Sequence, residues 1–594
     1  MPITGKDVKQ LCHSGGIYFF DPFRFLRNEK KSFILIPTNS LLLMTLGLET
    51  LDYVIFLIYF VIVSSYGYWV YKHKGKQTAD SKDFFLAEGS LTWWAIGASI
   101  IASNISAEQF IGMSGQAFQL GIAISVYELL GGVALIIVAV YFLPMYLNNK
   151  IYTMPQFLAK RYNERLATIM AVFWLFLYIF VNLTSIIYLG ALSLEKMTGF
   201  AFMPCAIFLT TFAVIITLGG MKVIGYTDVI QVVCLIFGGL ATTYLALDLL
   251  SDKVGTGSGV LEGLSLIREK ADSHLHMIFT PGQYQVHDGR GGFIDAYNQL
   301  PGIMMFIIGG QWVNNLNYFG CNQYMTQRAL GADINTARNG VLFAAFLKMM
   351  MPFIVVLPGL AAYVLFQENA DASIVNGITQ NGIVKPDNAY PVLLNLLPVG
   401  LKGLAFAALT AAIVASLAGK ANSISTIYML DIHNKFFNKN LTEKQTVWTG
   451  RVAIVVAFII ALMVSPLLAN FGQAFEYIQV YTGYISPGIL SIFLLGFFWK
   501  KATANGALAA AVLSIALSAV IENLYPAFPF LNRMGVVFWI CSAVHVAISL
   551  SQSKGKNQPN AFEVRPEWFK VTPTFRYGAI AVVATFSLIY WIFW

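Results

Sequence analysis

Apolar residues fall in long unbroken runs along this chain, without the every-second-residue alternation of barrel strands. A run of about 18 or more such residues can cross a bilayer as a helix. Fourteen spans are predicted, at 52–71, 90–115, 121–147, 166–195, 200–220, 228–250, 300–325, 339–365, 397–431, 447–469, 473–499, 503–522, 533–550 and 575–594. Open sheet edges cannot sit in hydrocarbon, so the runs read as helices. The expected fold class is an all-α polytopic membrane protein.

Polar residues interrupt two of these spans. The stretch "ASNISAEQFIGMSG" (102–115) sets Asn104, Ser106, Glu108 and Gln109 beside Gly112, Ser114 and Gly115. The stretch "IIGGQWVNNLNYFGCNQY" (307–324) combines glycines with Asn314, Asn315, Asn317 and Gln323. Polar side chains inside a span are costly and usually face a cavity or the bundle interior. Both segments are therefore predicted to be broken helices. One opens a set of five spans (90–250) and the other opens the next five (300–499). An odd number of spans reverses the orientation of the following unit, so two five-helix units form an inverted repeat with broken helices at the midplane. Glycine-rich packing interfaces are the plainer reading of the same residues. The rest divides into an N-terminal extension (1–43), a first flanking helix with a basic loop (44–89), an external loop (251–299) and C-terminal flanking helices (500–594).

Composition agrees with this pattern. Hydrophobic residues make up 57% of the chain and charged residues 11%, with a mean hydropathy of +0.65. Soluble domains carry about a quarter charged residues. The basic stretches "YKHKGK", "KRYNER" (160–165), "HNKFFNKNLTEK" (433–444), "WKK" (499–501) and the segment from Lys554 to Arg576 all fall on one side of the alternating trace. That side is the cytoplasm by the positive-inside rule, which leaves the ends of the fourteen-span core outside. The net charge of +8 follows from this bias and implies no nucleic-acid partner. Six lysines and arginines within residues 1–43 disagree with that orientation, and the segment has no signal-peptide form. The expected native start is Met44.

Several chemistries are excluded. Five cysteines, mostly inside spans, give no disulfide or zinc framework. The two histidines of "DSHLHM" are a weak metal signal, and His545 reads as a hydrogen-bonded structural residue. "LAGKANS" (417–423) lacks the first glycine and the final hydroxyl of a phosphate loop, so direct ATP hydrolysis is not expected. No paired-carboxylate or metal motif suggests an enzyme. Asp228 reads either as a functional acid or as a helix N-cap.

Beyond these readings, the chain resembles the sodium:solute symporter family. The likeness is carried by "ASNISAEQFIGMSG", "YIFVNLTSIIYLG" (178–190), "YTDVIQV" (226–232), "FAAFLK" (343–348), "FIVVLPG" (353–359), "AFEYIQVYTGYISPGIL" (474–490) and "GFFWKKATANGA" (496–507), and it runs from about residue 50 to Trp594. The resemblance implies a leucine-transporter-like fold, a five-plus-five inverted repeat with flanking helices, in the cell membrane. It implies import of a neutral hexose such as galactose or glucose by alternating access, with a co-transported sodium ion and no organic cofactor. Gln109, Glu128, Asn315, Lys348 and Gln479 match its sugar-binding positions. The carboxylate and the ammonium among them suit charge-assisted bonds to hydroxyls while adding no net charge. Tyr318 matches the inner gate, Asn104 the residue that holds it, and Met113, Tyr127 and Phe475 the outer gate.

Two departures from the family pattern bear on specificity. Gly131 stands where the family has a serine on the sugar side, so one hydrogen bond is lost or extra room is gained. The sodium site matches the carbonyls of Ala102, Ile105 and Ala412 and the hydroxyl of Ser416, but Ala415 replaces a second hydroxyl ligand. Methyl is no ligand for a hard cation, and water or Ser103 is the available substitute. Asp228 matches an acid on the ion exit route. A sodium symporter, a proton-coupled carrier and a facilitative carrier stay open at this point. A sugar receptor that does not transport is the reading from a different class.

Overall fold

The chain is described here by a computed structural model covering residues 48–73, 84–85, 91–257, 259–288, 291–437, 441–470 and 474–594. The expected start at Met44 and the extension 1–43 lie outside the described residues. Eleven helices among the described residues are long and apolar enough to cross a bilayer. They include Thr50–His73, Ile334–Gln367, Leu401–Ile427 and the three late helices Ala504–Leu524, Phe530–Ser553 and Pro573–Ile592.

The expected spans at 200–220, 90–115 and 300–325 take other forms. The first is Phe202–Thr217, a shorter apolar helix of 16 residues. The second is interrupted. Helix Trp93–Asn104 ends at Ile105, whose backbone is extended (φ −81°, ψ 118°), and the chain resumes as a π-helical turn, Glu108–Met113. π-helical turns cost regularity and recur at functional places. The third is interrupted after Gly310–Gly320, where Asn322 is extended (φ −101°, ψ 131°) before Gln323–Leu330.

No loop separates the expected spans 90–115 and 121–147. The apolar stretch Glu108–Asn148 runs for 41 residues, and a straight helix of that length would reach about 60 Å. Gly121 breaks the line with φ 67° and ψ −147°, a conformation open to glycine. A Cβ there would also overlap the His274 carbonyl.

Distant residues close several helix ends. Asp52, in the first helix, accepts from Gly400 N at 2.7 Å and Gly403 N at 2.8 Å. It thereby caps the N-terminus of Leu401–Ile427 from 348 residues away. Asp52→Ala is expected to cost about 0.5–2 kcal/mol, the range of a lost N-cap, read as a lowered melting temperature of the purified chain. Arg161, one of the basic loop residues, is buried and donates to the carbonyls of Gly496, Trp499 and Ala502 at the end of helix Ser486–Phe498. The loop segment 251–299 carries helix Val260–Lys270 and the hairpin Gln285–His287 with Phe293–Asp295.

Candidate functional site

Each helix break redirects backbone groups that a continuous helix would consume. Ser106 N donates to Gln109 Oε1 at 2.9 Å, so it does not continue the ladder onto the Ala102 carbonyl. Glu108 N donates to Ser106 Oγ at 3.1 Å, which starts the resumed segment. At the second break, Asn322 Nδ2 donates to the carbonyls of Asn317 and Tyr318 at 3.4 and 3.3 Å. Tyr178 Oη accepts from Gln323 N at 3.0 Å. At the first break the stabilising side chains, Ser106 and Gln109, are polar ones that stood out in the apolar sequence.

Between the breaks lies a cavity of about 50 Å³, space for a few waters. Gln109, Glu128, Asn315, Lys348 and Gln479 all line it, from separate stretches of the chain. Lys348 Nζ and Glu128 Oε2 form an ion pair at 2.6 Å, each residue only 1% exposed. The ammonium also lies 5.4 Å from the centre of the Phe319 ring, within cation–π reach. Gln479 Oε1 accepts from Asn314 Nδ2 at 3.3 Å, and Asn315 Nδ2 donates to its own helix at Gln311 O. The wall therefore offers amide groups, the Lys348–Glu128 pair and the Glu108 carboxylate, chemistry suited to a solute with several hydroxyls and no negative charge.

Tyr318, Asn104, Met113 and Tyr127 line the same cavity. Asn104 Nδ2 donates to Tyr318 Oη at 3.0 Å. Tyr127 and Gln479 also border a second small cavity with Gln116, Leu120 and Phe530. Phe475 belongs to helix Ala474–Gly483, but its side chain falls outside the described residues. The extra room expected at Gly131 is already taken. A Cβ at Gly131 would lie 3.1 Å from Phe319 Cε2 and 3.3 Å from Asn315 Oδ1.

The other matched positions gather elsewhere. Ala102, Ile105, Ala412 and Ser416 are buried where the first broken helix packs on Leu401–Ile427. Ser416 Oγ donates to the Ser103 carbonyl at 2.9 Å. Ser103 Oγ, expected as a substitute ligand, instead accepts from Arg328 Nη2. The reading of Asp228 as a helix cap is corrected. It is the ninth residue of helix Gly220–Val254, accepts from Ser99 Oγ and lies 3.8 Å from Arg328 Nη2.

Sequence reasoning passed over several residues of these sites. Asn182, Asn322 and Tyr324 line the cavity, and Arg328 and Lys420 are buried charges. Lys420 stands four residues after Ser416, a spacing that puts two side chains on one helix face, and this was the available signal. The "DSHLHM" histidines make no metal centre with other residues, and among the described residues no group of three potential ligands occurs. His274 stacks on Tyr363 at 3.7 Å, and burial pushes its imidazole down to about 4. His545 corrects its sequence reading, since neither ring nitrogen finds a hydrogen-bond partner among the described residues.

Known proteins place this arrangement. The sequence profile of the sodium:solute symporter family matches residues 84–514. A sodium/glucose cotransporter of Vibrio parahaemolyticus is 42% identical over 92% of this chain and 99% of its own length. A human sodium/myo-inositol cotransporter 2 is 32% identical over 78% of this chain and 68% of its own. Among solved structures, a Na+-coupled sialic acid symporter in a substrate-bound outward-open state superposes with a TM-score of 0.69. It is 21% identical and matches 84% of this chain and 98% of its own, which shows a shared fold. With its apolar helices this is a multi-pass membrane protein, and the chain belongs to the sodium:solute symporter family.

Proposed function

We propose that this chain carries a neutral hexose across the membrane by alternating access. The observation that supports this most is the convergence of Gln109, Glu128, Asn315, Lys348 and Gln479 on one cavity, with Lys348 and Glu128 paired. The relatives named for glucose and myo-inositol both handle uncharged polyols, and a hexose has the hydroxyls to use these groups. The cavity has room only for water, so sugar enters when its walls separate. Met113, Tyr127 and Phe475 form the outer gate in this reading. Tyr318, held by Asn104, forms the inner gate, and Asp228 stands on the ion exit route.

The same reading counts fourteen spans, the eleven long helices with Phe202–Thr217 and the two broken segments. Spans 90–250 and 300–499 form the inverted repeat, and 44–89 and 500–594 flank it. Rocking of one unit against the other exposes the cavity to each side in turn. Sodium is the cation that the family and its named relatives imply. A second reading, a sugar carrier not driven by sodium, is favoured by one observation, the methyl of Ala415 in place of a ligand.

Uptake of labelled sugars into sealed vesicles tests the substrate. Labelled galactose or glucose is expected to enter, and unlabelled hexose to compete for entry. A charged sugar acid is expected to compete poorly, because the wall sets the carboxylates of Glu108 and Glu128 against the one ammonium of Lys348 and repels an anion. Entry of neither hexose, with the chain correctly folded, would sink this reading.

A further inference from the structure

The junction of the first broken helix with Leu401–Ile427 holds the positions that match the family's sodium site. Its one remaining hydroxyl is already engaged. Ser416 Oγ gives its proton to the Ser103 carbonyl at 2.9 Å and accepts from Lys420 Nζ at 3.0 Å. A hydroxyl has two acceptor lone pairs; the ammonium holds one, and a metal ion on the other would share this oxygen with a fixed positive charge. Ala415 offers none, and Ser103 Oγ is held by Arg328.

Lys420 is 1% exposed, so its charge does not reach water along the side chain. Its ammonium lies 5.0 Å from the centre of the Tyr324 ring, a cation–π arrangement. Gly419 allows the close approach beside it. A Cβ there would come within 2.3 Å of Arg328 Nη2. Two fixed positive groups thus stand at this junction. Asp228 faces Arg328 at 3.8 Å. A sodium ion added here would be a further positive charge out of water, beside two cations that repel it.

We propose that the Lys420 ammonium is the resident cation of this junction. Through Ser416, whose hydroxyl bonds the Ser103 carbonyl, it holds Leu401–Ile427 to the first broken helix where a transported sodium ion would otherwise do so, and sugar passage through this chain is independent of sodium. The transport half of this rests on the proposed hexose function, whereas sodium binding is read without sugar.

The test is equilibrium binding of radiolabelled sodium to the purified full chain, with choline as the control salt. The native chain is expected to show no saturable binding. Lys420→Ala combined with Ala415→Ser is expected to gain it, with a sodium-dependent rise in melting temperature that follows ligand linkage. Lys420→Arg, which keeps the charge, is expected to remain without it. If the double variant aggregates, Lys420→Gln with Ala415→Ser takes its place. In vesicles, the native chain is expected to take up labelled galactose at equal initial rates in sodium and in choline. Saturable sodium binding to the native chain that Ser416→Ala removes would overturn the proposal. So would a well-folded Lys420 variant with Ala415→Ser that still binds no sodium, because the lysine would not be what excludes the ion. Absence of sugar entry in every salt would count against the hexose reading alone, and the binding result would still decide the role of Lys420.

Discussion

Replacing Lys348 with methionine is expected to abolish sugar uptake and to lower stability by about 3–5 kcal/mol, the cost of leaving a buried charge without its partner. The two groups are 2.6 Å apart and almost wholly buried, so bulk water does not solvate the carboxylate left behind. Glu128→Gln with Lys348→Met removes both charges and is expected to recover most of the stability, since an uncharged pair of similar volume is often no worse. Uptake is expected to stay lost in that double variant, because both charge-assisted donors and acceptors for sugar hydroxyls are gone. Thermal melting of the purified variants and vesicle uptake separate the two effects. A double variant that is both stable and active would make the pair structural and remove it from the sugar site.

Hydropathy made most of the fold legible, because lipid imposes one rule on every segment that crosses it. The breaks were legible for a related reason. Asn104, Ser106 and Gln109, or Asn314, Asn315 and Asn317, make no sense on a lipid-facing helix. Contacts between distant segments were not legible. Nothing in "ETLDYV" says that Asp52 caps a helix 348 residues later, and hydropathy cannot choose its partner. Gly131 shows the same limit from the other side. A missing side chain suggested space, yet space belongs to the neighbours, and Phe319 and Asn315 occupy it. Lys420 was hidden for a third reason. In an apolar run a single lysine resembles a residue reaching for the interface, and only burial with a defined acceptor distinguishes the two.

Arg328→Met is expected to be as damaging as loss of Lys348, by a different route. The guanidinium donates to Ser99 Oγ at 2.7 Å, to Ser103 Oγ and to the Tyr324 carbonyl. It also faces Asp228 on helix Gly220–Val254 at 3.8 Å. One side chain thus joins the first broken helix, the second and the helix that carries Asp228. Truncation leaves the Asp228 carboxylate buried without its counter-charge, again about 3–5 kcal/mol. Arg328→Lys is expected to rescue little, since one ammonium cannot reproduce the planar fork of donors. Arg328→Met with Asp228→Asn removes the stranded charge, so its melting temperature is expected to rise well above that of the single variant. Uptake is expected to remain low, because the three elements lose the side chain that holds them together. If uptake returns together with stability, then Asp228 and Arg328 serve only to neutralise each other. The sugar path would then owe its inner closure to Tyr318 and Asn104 alone.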